Sequence, residues 1–146
     1  MSSTAVRPPL NALLRVAWQQ ARRRMLADLR TGGFAELDEA HLHLFQHPGP
    51  DGLRPSDLAR RLRTSRQATN YLLAQLESMG YLQRRRAAGD VRRRVYVTAR
   101  GRRLQAAMLT SVRRFERQWR RRVGAARYRA FLHVLGAMAA GSPPAS

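Results

Sequence analysis

The chain contains no cysteine. Disulfides, thiolate redox sensing and cysteine-based zinc sites are therefore excluded. It has no lysine either, so all 28 basic residues are arginine, and only nine acidic residues oppose them. No apolar run reaches the roughly 20 residues that a membrane span needs. Met1 to Leu14 lacks a basic start followed by an apolar core, so no signal peptide is expected. A cytoplasmic location follows as an expectation. Enzymatic signatures are missing as well. No nucleophile elbow, phosphate-binding glycine loop or paired carboxylates can be found, and Ser65 has no candidate base beside it. Neither an enzyme nor a cofactor is expected.

What is present is positive charge. The formal net charge is +19 over 146 residues, a length that suits one domain. Codon bias accounts for arginine in place of lysine but not for the excess. A field of this sign favours polyanions, with nucleic acid first and an acidic membrane second. The 44% of hydrophobic residues suffices for one core and for a second apolar face shared with another copy.

The pattern along the chain is mostly helical. Residues 1–8 read as a loose leader. Leu10, Leu13, Leu14, Ala17, Trp18, Ala21 and Met25 recur at three- and four-residue steps until Gly32-Gly33. A second helix is expected over 37–46, with Leu37, Leu44 and Phe45 inward. The cluster from His47 to Gly52 reads as a turn. Pro55 opens a short helix carrying Leu58, Ala59 and Leu62. Ser65 caps a third helix over 66–79, and Gly80 ends it. The period then falls to two. Tyr81 to Arg84 and Val91 to Val97 read as strands joined by Ala87 to Asp90, with Val91, Val95 and Val97 on one face. A long helix follows over about 100–122, with Leu104, Met108, Val112, Phe115 and Trp119 as its seam. A last helix is expected over about 125–139, and the tail from Gly141 reads as disordered.

Short helix, turn, capped helix and hairpin form the order of a helix-turn-helix with a wing. On the 66–79 helix, Ala68, Leu72, Leu76 and Met79 are expected to face the core. Arg66, Gln67, Asn70 and Ala74 are expected to face outward, flanked by Thr69 and Tyr71. Arginine can pair bidentately with guanine, and asparagine or glutamine with adenine. Ser65 and Thr69 could hold phosphates. An ordinary amphipathic helix would show the same polar face. The hairpin separates the two readings. Arg84, Arg85, Arg86, Arg92, Arg93 and Arg94 crowd it, with Asp90 the one carboxylate among them. That density is self-repelling alone, and a phosphate backbone with a narrow minor groove would relieve it.

The stretch LRPSDLARRLRTSRQATNYLLAQLESMGYLQRRRAAGDVRRRVYVTARGRRL, Leu53 to Leu104, resembles the core of the MarR family. The matching pieces are LARRL, SRQAT, LESMGYLQRR and VTARG. Leu37 to Phe45 and VGAARYRAFLHVL extend the likeness to about 130 residues. Asp90 and Arg92 supply the family's Asp-x-Arg, but the stretch to Thr98 is one residue short and Val97 stands for a leucine. The inserted side chain could thus be Arg92 or Arg93.

The resemblance implies a mainly α fold with a two- or three-stranded β wing, in a single domain over 1–146. Its DNA-binding lobe would span about 37–98, and dimerisation helices about 8–30 and 100–140. It further implies a homodimer on double-stranded DNA, reading two half-sites about 34 Å apart. The expected role is a repressor, relieved by a small aromatic or anionic effector. The DNA-binding set is then Ser65, Arg66, Gln67, Thr69, Asn70, Tyr71, Arg85, Arg86, Arg92 and Arg93. Trp18, His41, Phe45, Arg113 and Phe115 are candidates for an effector pocket. His43 and His47 are spaced for two metal ligands, with Asp38 or Glu39 as a third, but surface or pocket-lining histidines are the simpler reading and no metal is expected. The alternative function is non-specific nucleic-acid binding or chromosome architecture through the arginine surface. Another rival is a winged helix used for protein contacts.

Overall fold

A computed structural model describes residues 7–46 and 48–141. Among these the order is α1 (Leu10–Thr31), α2 (Glu39–Leu44), α3 (Pro55–Arg61), α4 (Arg66–Ser78), β1 (Leu82–Arg86), β2 (Arg93–Val97), α5 (Ala99–Val123) and α6 (Ala125–Ala140). It is a mainly α winged helix. The expected readings of the leader, of His47 and of the tail beyond Gly141 lie wholly or mostly outside the described residues.

Capping chemistry places the short helices. Asp38 accepts from the His41 backbone N–H while the His41 ring accepts from the Asp38 N–H, a reciprocal cap. That cap starts α2 two residues later than the sequence pattern suggests. Pro55 opens α3, and the Ser65 hydroxyl accepts from Ala68 N–H to open α4. Gly80, at φ 82°, makes the left-handed turn from α4 into the hairpin. The two strands are antiparallel, with Leu82 opposite Val97, Arg84 opposite Val95 and Arg86 opposite Arg93. Gly52 and Leu53 exchange two backbone hydrogen bonds with Val95, extending the sheet by one rung.

The core lies where α2, α4, the strands and the start of α5 meet. Leu42, Leu58, Leu73, Leu76, Tyr81, Val95 and Leu104 are shut away from water. Gly101 permits the tight junction of α5 with the hairpin. A Cβ there would collide with the Tyr81 carbonyl oxygen and meet Val97 Cγ1 at 2.6 Å. Next to it, the Tyr81 hydroxyl donates to Glu36. Arg100 donates to Glu36 and to the Met79 carbonyl, both at 2.6 Å, and lies over the Tyr81 ring. Burial first, then the bond to Glu36, pushes the Tyr81 hydroxyl up to about 12. The bond from Tyr81 is the main cause holding Glu36 below the usual carboxylate range.

Two expected orientations are corrected. In α4 Thr69, Leu73 and Leu76 are buried and Leu72 and Met79 pack half-buried against the core, whereas Ala68 is exposed. The apolar stripe is centred on Leu73, which forms the i, i+3 pair with Leu76. Val91 is not on a strand face. It sits at the hairpin tip, 82% exposed, because β2 begins only at Arg93.

Candidate nucleic-acid interface and effector cavity

The first turns of α4 present Ser65, Arg66, Gln67, Asn70 and Tyr71 to solvent. Their exposure follows from the burial of Thr69, Leu73 and Leu76 on the opposite side. Thr69 is a correction to the expected set. It is fully buried and its hydroxyl donates to the Ser65 carbonyl at 3.0 Å, so it cannot reach a phosphate. Tyr71, two-thirds exposed, is an aromatic side chain with no packing partner in α4's own core.

The wing adjoins this face through Arg84. Its Nε donates to Glu77 at 2.5 Å and its Nη1 to Asn70 Oδ1 at 3.1 Å. Asn70 thereby keeps its amide N–H donors free and shares its oxygen in an exposed bond for which a base edge would compete. Side chains alternate across a strand, so Arg86 and Arg93 share the sheet face of Arg84, turned toward α4. Arg86 and Arg93 stand directly opposite each other, both exposed, a like-charge pairing that destabilises a hairpin by itself. On the other face Arg85 stacks over the Tyr96 ring at 3.8 Å.

Asp90 organises the tip. Its carboxylate accepts from the Arg92 backbone N–H at 2.9 Å and from Arg94 Nε at 3.0 Å, with Arg54 at 3.9 Å. The Arg92 N–H is the largest of these influences in holding Asp90 below its usual range. Arg94 also donates to the Gly52 carbonyl at 2.9 Å, so it fastens the wing to the body rather than facing outward. Arg92 and Arg93 remain exposed, and among the described residues no carboxylate neutralises either side chain.

The effector candidates separate. Trp18 and Phe45 line one cavity of about 520 Å³ with Met25, Met108 and Val112. Phe115 lines a second, about 450 Å³, between α1, α5 and α6, again with Trp18. His41 belongs to neither. It is buried, its Nδ1 is committed to Asp38 and its Nε2 pairs with Gln75 Oε1 at 2.9 Å. The capping bond explains its inward turn. Arg113 is exposed on the side of α5 opposite its buried residues, so the structure does not bring it to either cavity. Sequence reasoning missed Arg22. It is 8% exposed, donates to the Glu39 carbonyl at 2.9 Å and lies over Trp18 at 5.3 Å, leaving Nη1 without a partner among the described residues. Its charge hid it, and its position on the apolar stripe of Trp18 and Met25 was the available signal. The His43 ring meets Gln46 Oε1 at 3.1 Å, and His47 lies outside the described residues.

Comparison with known proteins agrees with this geometry. A MarR family model matches residues 42–93. The MarR family protein Rv2887 of Mycobacterium tuberculosis in complex with DNA is 28% identical, with a TM-score of 0.68. The match covers 93% of this chain and 100% of that one. The same protein in complex with salicylic acid is 29% identical, with a TM-score of 0.66 over 92% of this chain and 98% of that one. A structure of MarR has a TM-score of 0.72 at 21% identity, covering 94% and 93%, and supports the fold. No curated protein sequence matches. With its six helices, two-stranded wing and a MarR family match over residues 42–93, the chain is similar in fold and motif core to the MarR family of transcriptional regulators.

Proposed function

We propose that this chain is a sequence-specific DNA-binding repressor that acts as a homodimer on a pseudo-palindromic operator. The observation that carries the reading is the outward face of α4, where Arg66, Gln67 and Asn70 stand beside a wing of unneutralised arginines. Arg66, Gln67 and Asn70 read base edges in the major groove. Ser65 and Tyr71 hold the helix on the backbone. Arg85, Arg86, Arg92 and Arg93 follow the flanking phosphates, with Arg92 or Arg93 entering the minor groove.

Dimerisation is supported by apolar surface that the single chain leaves open. Leu10, Leu13 and Leu14 on α1, and Phe131, Leu132, Val134, Leu135 and Met138 on α6, are all exposed. A second copy would bury both stripes. The cavities beside Trp18, Phe45 and Phe115 suit a small aromatic acid, for which the unpaired Arg22 Nη1 is a ready donor. The salicylic and p-aminosalicylic acid complexes of the mycobacterial relative support that ligand class. Filling a cavity between α1 and α5 would change the spacing of the two reading heads and relieve repression.

The test is selection of bound fragments from the host genome, followed by competition against scrambled duplex at physiological salt. The expected result is a preference of at least about a thousandfold, in the usual range for specific over non-specific binding. Asn70→Ala should erase most of that preference while leaving scrambled-duplex affinity nearly intact. Equal losses on both duplexes would remove Asn70 from base reading. Equal affinity of the wild type for both would favour the charge-only reading.

A further inference from the structure

We propose that the outer face of α5 is a second DNA-contact surface, which takes a duplex other than the one held by α4 and the wing and so lets one protein bridge two segments. Within α5 nine arginines stand against one acidic residue, Glu116. At 100° per residue, Arg113, Arg117, Arg120 and Arg121 fall within one sector about 100° wide. The buried residues Leu104, Met108 and Ser111 lie on the opposite side. The sector therefore stays open to solvent even when another copy covers the apolar side of α5.

Position separates this stripe from the reading head. Arg113 lies about 21 Å along the helix from Ala99, and Arg121 about 33 Å, at the 1.5 Å rise of an α-helix. The wing runs from the α5 N-terminus in the other direction in the chain, toward Ala87 and Arg92. The stripe therefore begins about 21 Å from the end of α5 that joins the wing, and is proposed to lie outside the duplex held by α4 and the wing tip.

The stripe is uncompensated. All four arginines are exposed. Among the described residues none has a carboxylate within 4.0 Å, whereas the neighbouring Arg114 pairs with Asp28 at 3.2 Å. Arg117 has like charges three and four residues on either side, at Arg113, Arg114, Arg120 and Arg121. Such pairs destabilise a helix. A linear polyanion relieves this repulsion better than small counterions, because duplex DNA presents one charge per roughly 1.7 Å of its axis. A lipid surface fits less well. Membrane-seated helices combine basic residues with an adjoining apolar face that enters the bilayer, and here Val112, Phe115 and Trp119 lie on the far side of α5 from the stripe, with the single residue Leu109 at its edge.

The experiment uses the full chain on beads carrying one immobilised duplex, challenged with a fluorescent 30-base-pair duplex of random sequence. The wild type should capture the second duplex. A variant with Arg113→Gln, Arg117→Gln, Arg120→Gln and Arg121→Gln should lose at least tenfold of that capture. Its binding to the first duplex should change less than threefold, with unaltered sedimentation and a melting temperature no lower than that of the wild type. Second-duplex binding should lose about 3.6 salt-slope units, near 0.9 for each of the four phosphate contacts. If the fourfold variant does not fold, Arg117→Gln with Arg120→Gln should give about half the effect. Undiminished capture by a folded variant overturns the proposal. So does binding to phosphatidylserine vesicles that is lost in the variant while duplex capture persists. Asn70→Ala should leave capture intact, so a failure of operator reading and a failure of bridging register separately.

Discussion

In the winged lobe Leu58, Leu73, Leu76, Tyr81 and Val95 are sealed from water, and Arg84, Arg94 and Arg100 are tied down by Glu77, Asp90 and Glu36. In α6 no residue is buried, although Phe131, Leu132, Val134, Leu135 and Met138 recur along it. The N-terminal half of α1 is much the same, with Leu10 and Trp18 more than half exposed. The lobe thus encloses its own core, while the arms present apolar surface with nothing over it. The two regions have different sources of stability. Packing within the chain holds the lobe, whereas the proposed association with a second copy would complete the arms.

The sharpest break of that contrast is Gly101→Ala. The added methyl group has no room against Tyr81 and Val97, so the lobe should lose about 3 kcal/mol, the upper end of overpacking costs. Chemical denaturation followed by far-UV circular dichroism measures it, and a loss under about 1 kcal/mol would mean the junction relaxes easily. Next in size is Leu132→Asp combined with Leu135→Asp. This variant should leave the lobe folded yet sediment as a monomer and lose operator affinity by about a hundredfold or more through lost avidity. Unchanged sedimentation would show that α6 is not what joins two copies. A smaller effect is expected of Arg92→Ala, which should lower the salt slope of operator binding by about 0.9, one phosphate's worth. Comparing it with Arg93→Ala decides which side chain enters the groove.

The smallest expected effect is on pH dependence. Tyr81, raised to about 12, contributes stability that is complete below pH 10 and lost as pH rises toward 12. Glu36, lowered from 4.5, contributes above that value and loses its contribution as pH falls through the lowered one. Melting temperature should therefore fall on both sides of a plateau. Tyr81→Phe should flatten the alkaline limb and Glu36→Gln the acid limb, and parallel limbs in variant and wild type would discount the cluster.

Much of this was legible in the sequence, for identifiable reasons. Pro55, Ser65 and Gly80 mark α3 and α4 because capping and turn chemistry is local. The hairpin was visible from the change of period. The faces of α4 were less so. Ala68 and Thr69 are both small, and periodicity alone could not choose between a stripe through Leu72 and one through Leu73, which is why Thr69 was assigned to the wrong side. His41 was misplaced because a residue that caps a helix and one that lines a pocket look alike until Gln75 is brought beside it. Arg22 escaped because charge normally marks the solvent side of a helix, and only tertiary packing against Trp18 and Glu39 reverses that.

The joint formed by Glu36, Tyr81, Arg100 and the Met79 carbonyl has a mechanical consequence. It pins the loop before α2, the end of α4, the start of the hairpin and the first turn of α5 at one point. A lever welded at such a point transmits displacement without bending. Movement of the first turn of α5 would pull on the end of α4 and the start of the hairpin together rather than on either alone.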